Sequence, residues 1–229
     1  MTTIELAVFD MAGTTLNEHG DVYRALRQSV EENGVEVSDE NLQTWMGADK
    51  VEAIRSLLRL GGHAGDEATV AASFDRFRAL LRDFYAATPP EPLPGIPEAL
   101  AELRRNGVKV ALTTGFSTDV AGPLLEGLGW ATGEDGNLDA VVCSDEVAAG
   151  RPYPYMIQRA MERTGTKDVA TVLVAGDTVV DVEAGAAAGA GVVLGVETGK
   201  LTAADFAAQD GAQSLPSVAE IPQYLGLRS

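Results

Sequence analysis

Residues 8–17 read VFDMAGTTLN. With the residues before it, IELAVFD (4–10) forms a short apolar run that stops at a lone carboxylate, Asp10, and passes into a Gly/Thr turn. This is the pattern of a buried strand whose carboxyl end delivers an aspartate to a loop. Two residues further, where a second carboxyl would serve acid–base work, stands Ala12. The stretch therefore predicts an interior strand and poses a chemical question, since one carboxylate is present and its expected partner is a methyl group.

Outward from this strand the pattern changes twice. From about residue 21 to 87 the periodicity is helical: DVYRALRQSVEENG, SDENLQTWMG, KVEAIRSLLRLGG and EATVAASFDRFRALLRDFYAA follow one another with no strand between. TPPEPLPG (88–95), with four prolines, reads as a linker. Beyond it helices alternate with the strands VKVALTTG, DAVVCSD, VATVLVAGDT and GVVLGVETG, the last of the chain. Alternation of this kind implies a parallel sheet covered by helices. Counting the first, five strands are expected. The fold class is α/β, a doubly wound parallel sheet, with an α-helical domain inserted after the first strand. The expected division is residues 1–17 and 90–229 for the core and 18–89 for the insertion.

Composition narrows the function classes. A chain of 229 residues with 45% hydrophobic and 22% charged residues can bury a core. The net charge of −17 disfavours nucleic acid and anionic membranes as partners. Any phosphate site must then carry local positive charge from a metal, Lys, Arg or a helix N-terminus. No apolar run approaches the ~20 residues of a membrane span. The N-terminus lacks the basic and cleavable pattern of a signal peptide, and the single cysteine, Cys143, cannot form an internal disulfide. Both features point to a reducing cytoplasm.

In open α/β sheets, ligands bind at the carboxyl ends of the strands. Four such ends carry polar residues here: Asp10; Thr113, Thr114 and Gly115; the SDEVAAGRP segment with Arg151; and Asp177 with Asp181. Asp10 and Asp177 can hold a hard cation such as Mg²⁺ through oxygen. A carboxylate can attack phosphorus. Thr114 can donate to a phosphoryl oxygen, and Arg151 can offset developing charge as a planar fork. The alternative for Asp177 and Asp181 is that they merely cap the helix VVDVEAG. Tyr153 and Tyr155 are expected to pack the following helix, and Cys143 to be a buried strand residue.

This set resembles the haloacid dehalogenase superfamily over nearly the whole chain: Asp10, Thr114, Arg151, and Asp177 with Asp181 match its four motifs in order. Residues 21–87 resemble its helical cap. Within it the sequence is most similar to the phosphonatases, through DMAGTT (10–15), TTGF (113–116) and GRPYPYM (150–156). The resemblance implies an Mg²⁺-dependent hydrolase that forms an aspartyl-phosphate at Asp10. Asp10, the Ala12 carbonyl, Asp177 and Asp181 would be metal ligands, and Thr14, Gly115 and Met46 substrate contacts. The substrate would be a small phosphorylated or phosphonylated metabolite, and a homodimer through the cap is implied.

The resemblance also accounts for Ala12. An ester leaving as an alkoxide needs a proton, typically worth about 10²–10⁴ in rate, and Ala12 cannot give it. Phosphonatases use instead a cap lysine that forms an imine with the substrate aldehyde, so that the C–P bond breaks into an electron sink. WMGADKVEAI (45–54) places Lys50 four residues after Met46, as in that family, and Lys50 is the only lysine before residue 109. Its alternatives are a phosphate or carboxylate contact and a solvent-facing helix position. Two positions depart from the family: Ala53 replaces a histidine and Phe116 a tyrosine. The other functional readings are a phosphomonoesterase of phosphoglycolate or sugar phosphates, and a binding protein with a decayed site, against which the intact motifs argue.

Overall fold

The computed structural model describes residues 3–133, 135–209 and 212–227. The chain divides into two compact units, residues 1–17 with 91–229 and residues 18–90.

The first unit is built on a six-stranded parallel sheet. Its strands are β1 (Leu6–Asp10), β4 (Lys109–Thr114), β5 (Ala140–Cys143), β6 (Val172–Gly176), β7 (Val192–Val196) and β8 (Gln213–Leu215), in the order β5-β4-β1-β6-β7-β8. The labels β2 (Leu16–Asn17) and β3 (Glu91–Pro92) belong to a separate two-stranded ribbon. Strands β1 and β6 are buried along their whole length, which suits apolar runs without alternation. Five helices of this unit, α5 (Ile96–Arg105), α6 (Thr118–Gly127), α7 (Tyr155–Thr164), α8 (Val179–Ala188) and α9 (Ala203–Ala207), follow strands or the ribbon, and α10 (Ile221–Tyr224) closes the described chain. Leu6, Val8, Val142, Met156 and Val174 are core residues at the centre of one cluster between sheet and helices.

The chain order explains the position of the site. After β1 it returns to build β4 and β5 on one side, then crosses to build β6, β7 and β8 on the other. The crevice of a doubly wound sheet opens where the order reverses, at the carboxyl end of β1. The register brings the ends together: Asp10 is paired with Thr113 on one side, and Phe9 with Ala175 on the other.

Two features differ from the sequence reading. The strand at 192–196 is not the last, because β8 pairs with β7 at the sheet edge. Its three residues, QSL, are too short and too polar to give a strand signal. The proline-rich linker contains β3, which runs antiparallel to β2 with Leu16 opposite Pro92. An edge position tolerates proline because its missing N–H is not required by a neighbour.

The second unit is helical: α1 (Asp21–Glu31), α2 (Asp39–Thr44), α3 (Lys50–Leu60) and α4 (Glu67–Ala87). Side-chain caps start three of them, with Ser38 accepting from Asn41 N, Asp49 from Glu52 N and Asp66 from Thr69 N. The N-cap of α1 is Gly20, and Glu18 Oε2 supplies the acceptor instead, taking Val22 N at 2.7 Å. Leu26, Ile54, Leu58 and Phe77 are fully buried at its centre.

Candidate active site

The turn after β1 sets the first side chain. The Met11 carbonyl accepts from the amides of Thr14, Thr15 and Leu16, and Gly13 takes φ 85°, a left-handed conformation that favours glycine. Thr15 Oγ1 donates to the Asp10 carbonyl at 3.1 Å. The Asp10 side chain is thereby held at the strand end, and it is buried.

Arg151, between β5 and α7, reaches the same point. Its Nη1 donates to Asp10 Oδ1 at 2.5 Å and also to Asp181 Oδ1. Its Nε is buried with no hydrogen-bond partner among the described residues. Asp181 sits in the first turn of α8, where its Oδ2 accepts from Thr178 N at 3.1 Å and from the Thr178 hydroxyl at 2.5 Å. The helix-capping alternative for Asp181 thus describes one oxygen, while the other faces Arg151. Asp177 is held differently: Thr14 Oγ1 donates to its Oδ1 at 2.8 Å and accepts from its backbone N at 3.0 Å. The Thr14 hydroxyl thus positions Asp177.

Asp10, Asp177 and Asp181 are all buried and each offers an oxygen within 4.8 Å of the others. Burial, opposed by the Arg151 charge and helped by Asp181, pushes the Asp10 carboxyl up to about 6. Burial together with the Asp10 and Asp181 charges raises Asp177 well above the usual carboxylate range. Burial works against the charge of Arg151, yet the two carboxylates outweigh it and raise its pKa. Three carboxylates against one guanidinium leave negative charge uncompensated in a buried place. An all-oxygen donor set with that deficit suits a hard divalent cation, which fits Mg²⁺.

Thr114 Oγ1 accepts from Phe116 N at 3.1 Å and is buried, so its own proton is left to donate elsewhere. Gly115 is buried at the same strand end, and its carbonyl accepts from Ser144 Oγ at 3.3 Å. Ala12 bridges to Leu16 in the turn and is half-buried. Sequence reasoning missed the parts that act through space. Gly176 lies where a Cβ would come within 2.2 Å of the Asp181 carboxyl carbon. Thr198 donates to the Gly13 carbonyl at 2.6 Å. A glycine at the end of one strand and a threonine just past another were the available signals.

The remaining expected residues lie in the helical unit. Lys50 opens α3 and is only 4% exposed, with Nζ donating to the Ala48 carbonyl at 2.7 Å. The solvent-facing alternative is therefore excluded. Asp49, which could have faced Lys50, instead caps α3. Met46 is half-buried beside Trp45, whose Nε1 is buried without a partner among the described residues. Ala53 is fully buried, as are Ile54 and Leu58 on the same helix. In the first unit Tyr153 and Tyr155, at the start of α7, are 57% and 40% exposed and stack on each other at 5.8 Å. Cys143 is buried as expected, and burial pushes its thiol up to about 11.

The family model of the haloacid dehalogenase-like hydrolases matches residues 4–189. The chain belongs to this family. It is a hydrolase, and Asp10, Thr114, Arg151, Asp177 and Asp181 all fall within the matched span. Among curated relatives, the phosphonoacetaldehyde hydrolase of Bacillus cereus (strain AH187) is 31% identical over 213 residues, covering 84% of this chain and 76% of its own. Among solved structures, a phosphonoacetaldehyde hydrolase-like protein from Oleispira antarctica superposes with a TM-score of 0.79 at 22% identity, over 97% of this chain and 91% of that one. A chain assigned as a phosphoglycolate phosphatase, from Lactobacillus delbrueckii subsp. bulgaricus, gives a TM-score of 0.77 at 19% identity, over 99% and 100%. These two likenesses describe the fold.

Proposed function

We propose that the protein hydrolyses a small phosphonate or phosphate through a covalent intermediate on Asp10, with C–P cleavage of a phosphonoacetaldehyde-like substrate as its reaction. The observation that carries the finer reading is the pairing of an absence with a presence. No carboxyl stands at position 12, and a lysine at the family's imine position is buried with its amine held by a backbone carbonyl. The curated relative from Bacillus cereus bears the name of that activity.

In this reading Lys50 Nζ condenses with the aldehyde to form a protonated imine. An Asp10 oxygen attacks phosphorus, the new O–P bond forms as the C–P bond breaks, and the released electron pair enters the imine to leave an enamine. Thr114 donates its free proton to a phosphoryl oxygen. Arg151 orients Asp10 through Nη1 and balances its charge. Asp10, Asp177, Asp181 and the Ala12 carbonyl would hold Mg²⁺. When bound, the ion supplies charge neutralisation of the phosphoryl oxygens. Water then cleaves the acyl phosphate to free Asp10 and inorganic phosphate, and protonation of the enamine carbon followed by hydrolysis of the imine releases the aldehyde product and returns the Lys50 amine.

A second reading, ester hydrolysis on phosphoglycolate-like or sugar phosphates, is favoured by Ala53 and Phe116, where the phosphonatase pattern has a histidine and a tyrosine. Phosphate release from phosphonoacetaldehyde, phosphoglycolate and sugar phosphates, with and without Mg²⁺, separates the two. The proposal expects phosphonoacetaldehyde to be turned over fastest and Lys50→Ala to abolish only that activity. Ester turnover indifferent to Lys50→Ala, with no C–P cleavage, establishes the second reading instead.

A further inference from the structure

Residues 197–200, which follow β7, turn back over the strand ends of the first unit. Thr198 ties this turn to the loop after β1 through the Gly13 carbonyl. A Cβ on Gly199 would lie 2.1 Å from Asp177 Oδ2, and a Cβ on Gly13 would lie 2.6 Å from the same oxygen. Asp177 Oδ2 therefore stands in a slot walled by two glycines while Thr14 holds Oδ1. The two glycines have different reasons. Gly13 needs its φ of 85°. Gly199 is outside the left-handed region, so its backbone accepts alanine and only the approach of the carboxylate forbids it.

We propose that the 197–200 turn is a positioning element of the cation site: Thr198 anchors it, and Gly199 provides the space in which the Asp177 carboxylate stands beside Asp10 and Asp181. Neither residue touches substrate, and both act through Asp177. The inference rests on reading the three carboxylates as a cation site. It extends that site to a segment beyond the residues matched by the family model.

The test is Mg²⁺ binding to the full chain by isothermal titration calorimetry, independent of turnover. Gly199→Ala is expected to weaken binding about 10–100-fold, the range for outer partners of metal ligands. Thr198→Val is expected to weaken it in the same direction, and Thr198→Ser, which keeps the hydroxyl, to restore it. Gly122→Ala in α6, whose Cβ would meet nothing within 4 Å, is the control for a glycine replacement and should bind as the native chain does. Native affinity in a folded Gly199→Ala, even with a lowered Tm, overturns the proposal. Should that variant fail to fold, equal affinities for Thr198→Val and Thr198→Ser overturn it alone. If the native chain binds no Mg²⁺, the cation reading fails and this inference with it. Binding by the native chain that no variant alters defeats the inference only.

Discussion

A carboxyl at position 12 would lie on the same turn as Asp10, two residues on, where Ala12 is half-buried. If its absence is what handicaps ester hydrolysis, restoring it should help. Ala12→Asp is expected to raise phosphoglycolate turnover by about tenfold or more, toward the 10²–10⁴ that general acid catalysis typically contributes. Steady-state phosphate release measures this, and an unchanged rate contradicts the role given to Ala12. Glu18 offers a second test at this scale. Burial, with the Asp21 charge, raises its pKa above 4.5, although the amides of Val22 and Gly20 and the charge of Lys50 pull it down. Tyr85, from α4, also feels the Glu18 charge. A raised folded-state pKa means that the unfolded chain loses its proton first as pH rises. Stability from the neutral carboxyl is thus full below about 4.5 and is lost as pH climbs through the folded value. Glu18→Gln keeps an acceptor for Val22 N and cannot ionise. The Tm of this variant relative to the native chain should increase as pH rises above about 4.5. A flat difference contradicts the burial argument.

At the scale of elements, legibility followed the length of the apolar run. Strands β1, β4, β6 and β7 each carry at least five residues with little alternation, and each was readable. Strand β8, with three residues and a polar start, was not, and the β2–β3 ribbon was masked by prolines. The same logic divides the site. Asp10, Thr114 and Asp177 announce themselves as polar residues where apolar strands stop, Asp181 in the first turn of the helix beyond, and Arg151 in the GRPYPYM stretch between β5 and α7. Gly176, Thr198 and Gly199 do not, because what they contribute is room or a bond to a backbone carbonyl, and that depends on which loops the topology brings together. Packing of β7 makes its own prediction. Gly195 leaves space for the Phe206 ring, to which a Cβ there would approach within 2.5 Å, and Phe206 is fully buried. Phe206→Ala should cost about 3–5 kcal/mol in urea denaturation. A loss below about 1 kcal/mol would show that α9 is not part of the cooperative core.

For the whole molecule, the field and the site oppose each other. The chain carries a net charge of −17, yet its proposed substrate is an anion. Long-range repulsion is screened by salt over a Debye length of about 10 Å at 0.1 M. The kcat/KM for an anionic substrate should therefore rise between low salt and about 0.15 M NaCl at constant Mg²⁺, and a fall contradicts a repulsive field. Among the described residues no helix is long and apolar enough to cross a membrane. The central claim joins the two units in function, since Asp10 belongs to one and Lys50 to the other. Its most direct test is borohydride reduction in the presence of phosphonoacetaldehyde, followed by peptide mass spectrometry. The account predicts an adduct on Lys50, absent from Lys50→Ala, together with release of inorganic phosphate when borohydride is omitted. Phosphate release from phosphonoacetaldehyde with no adduct on Lys50, and undiminished in Lys50→Ala, would contradict it.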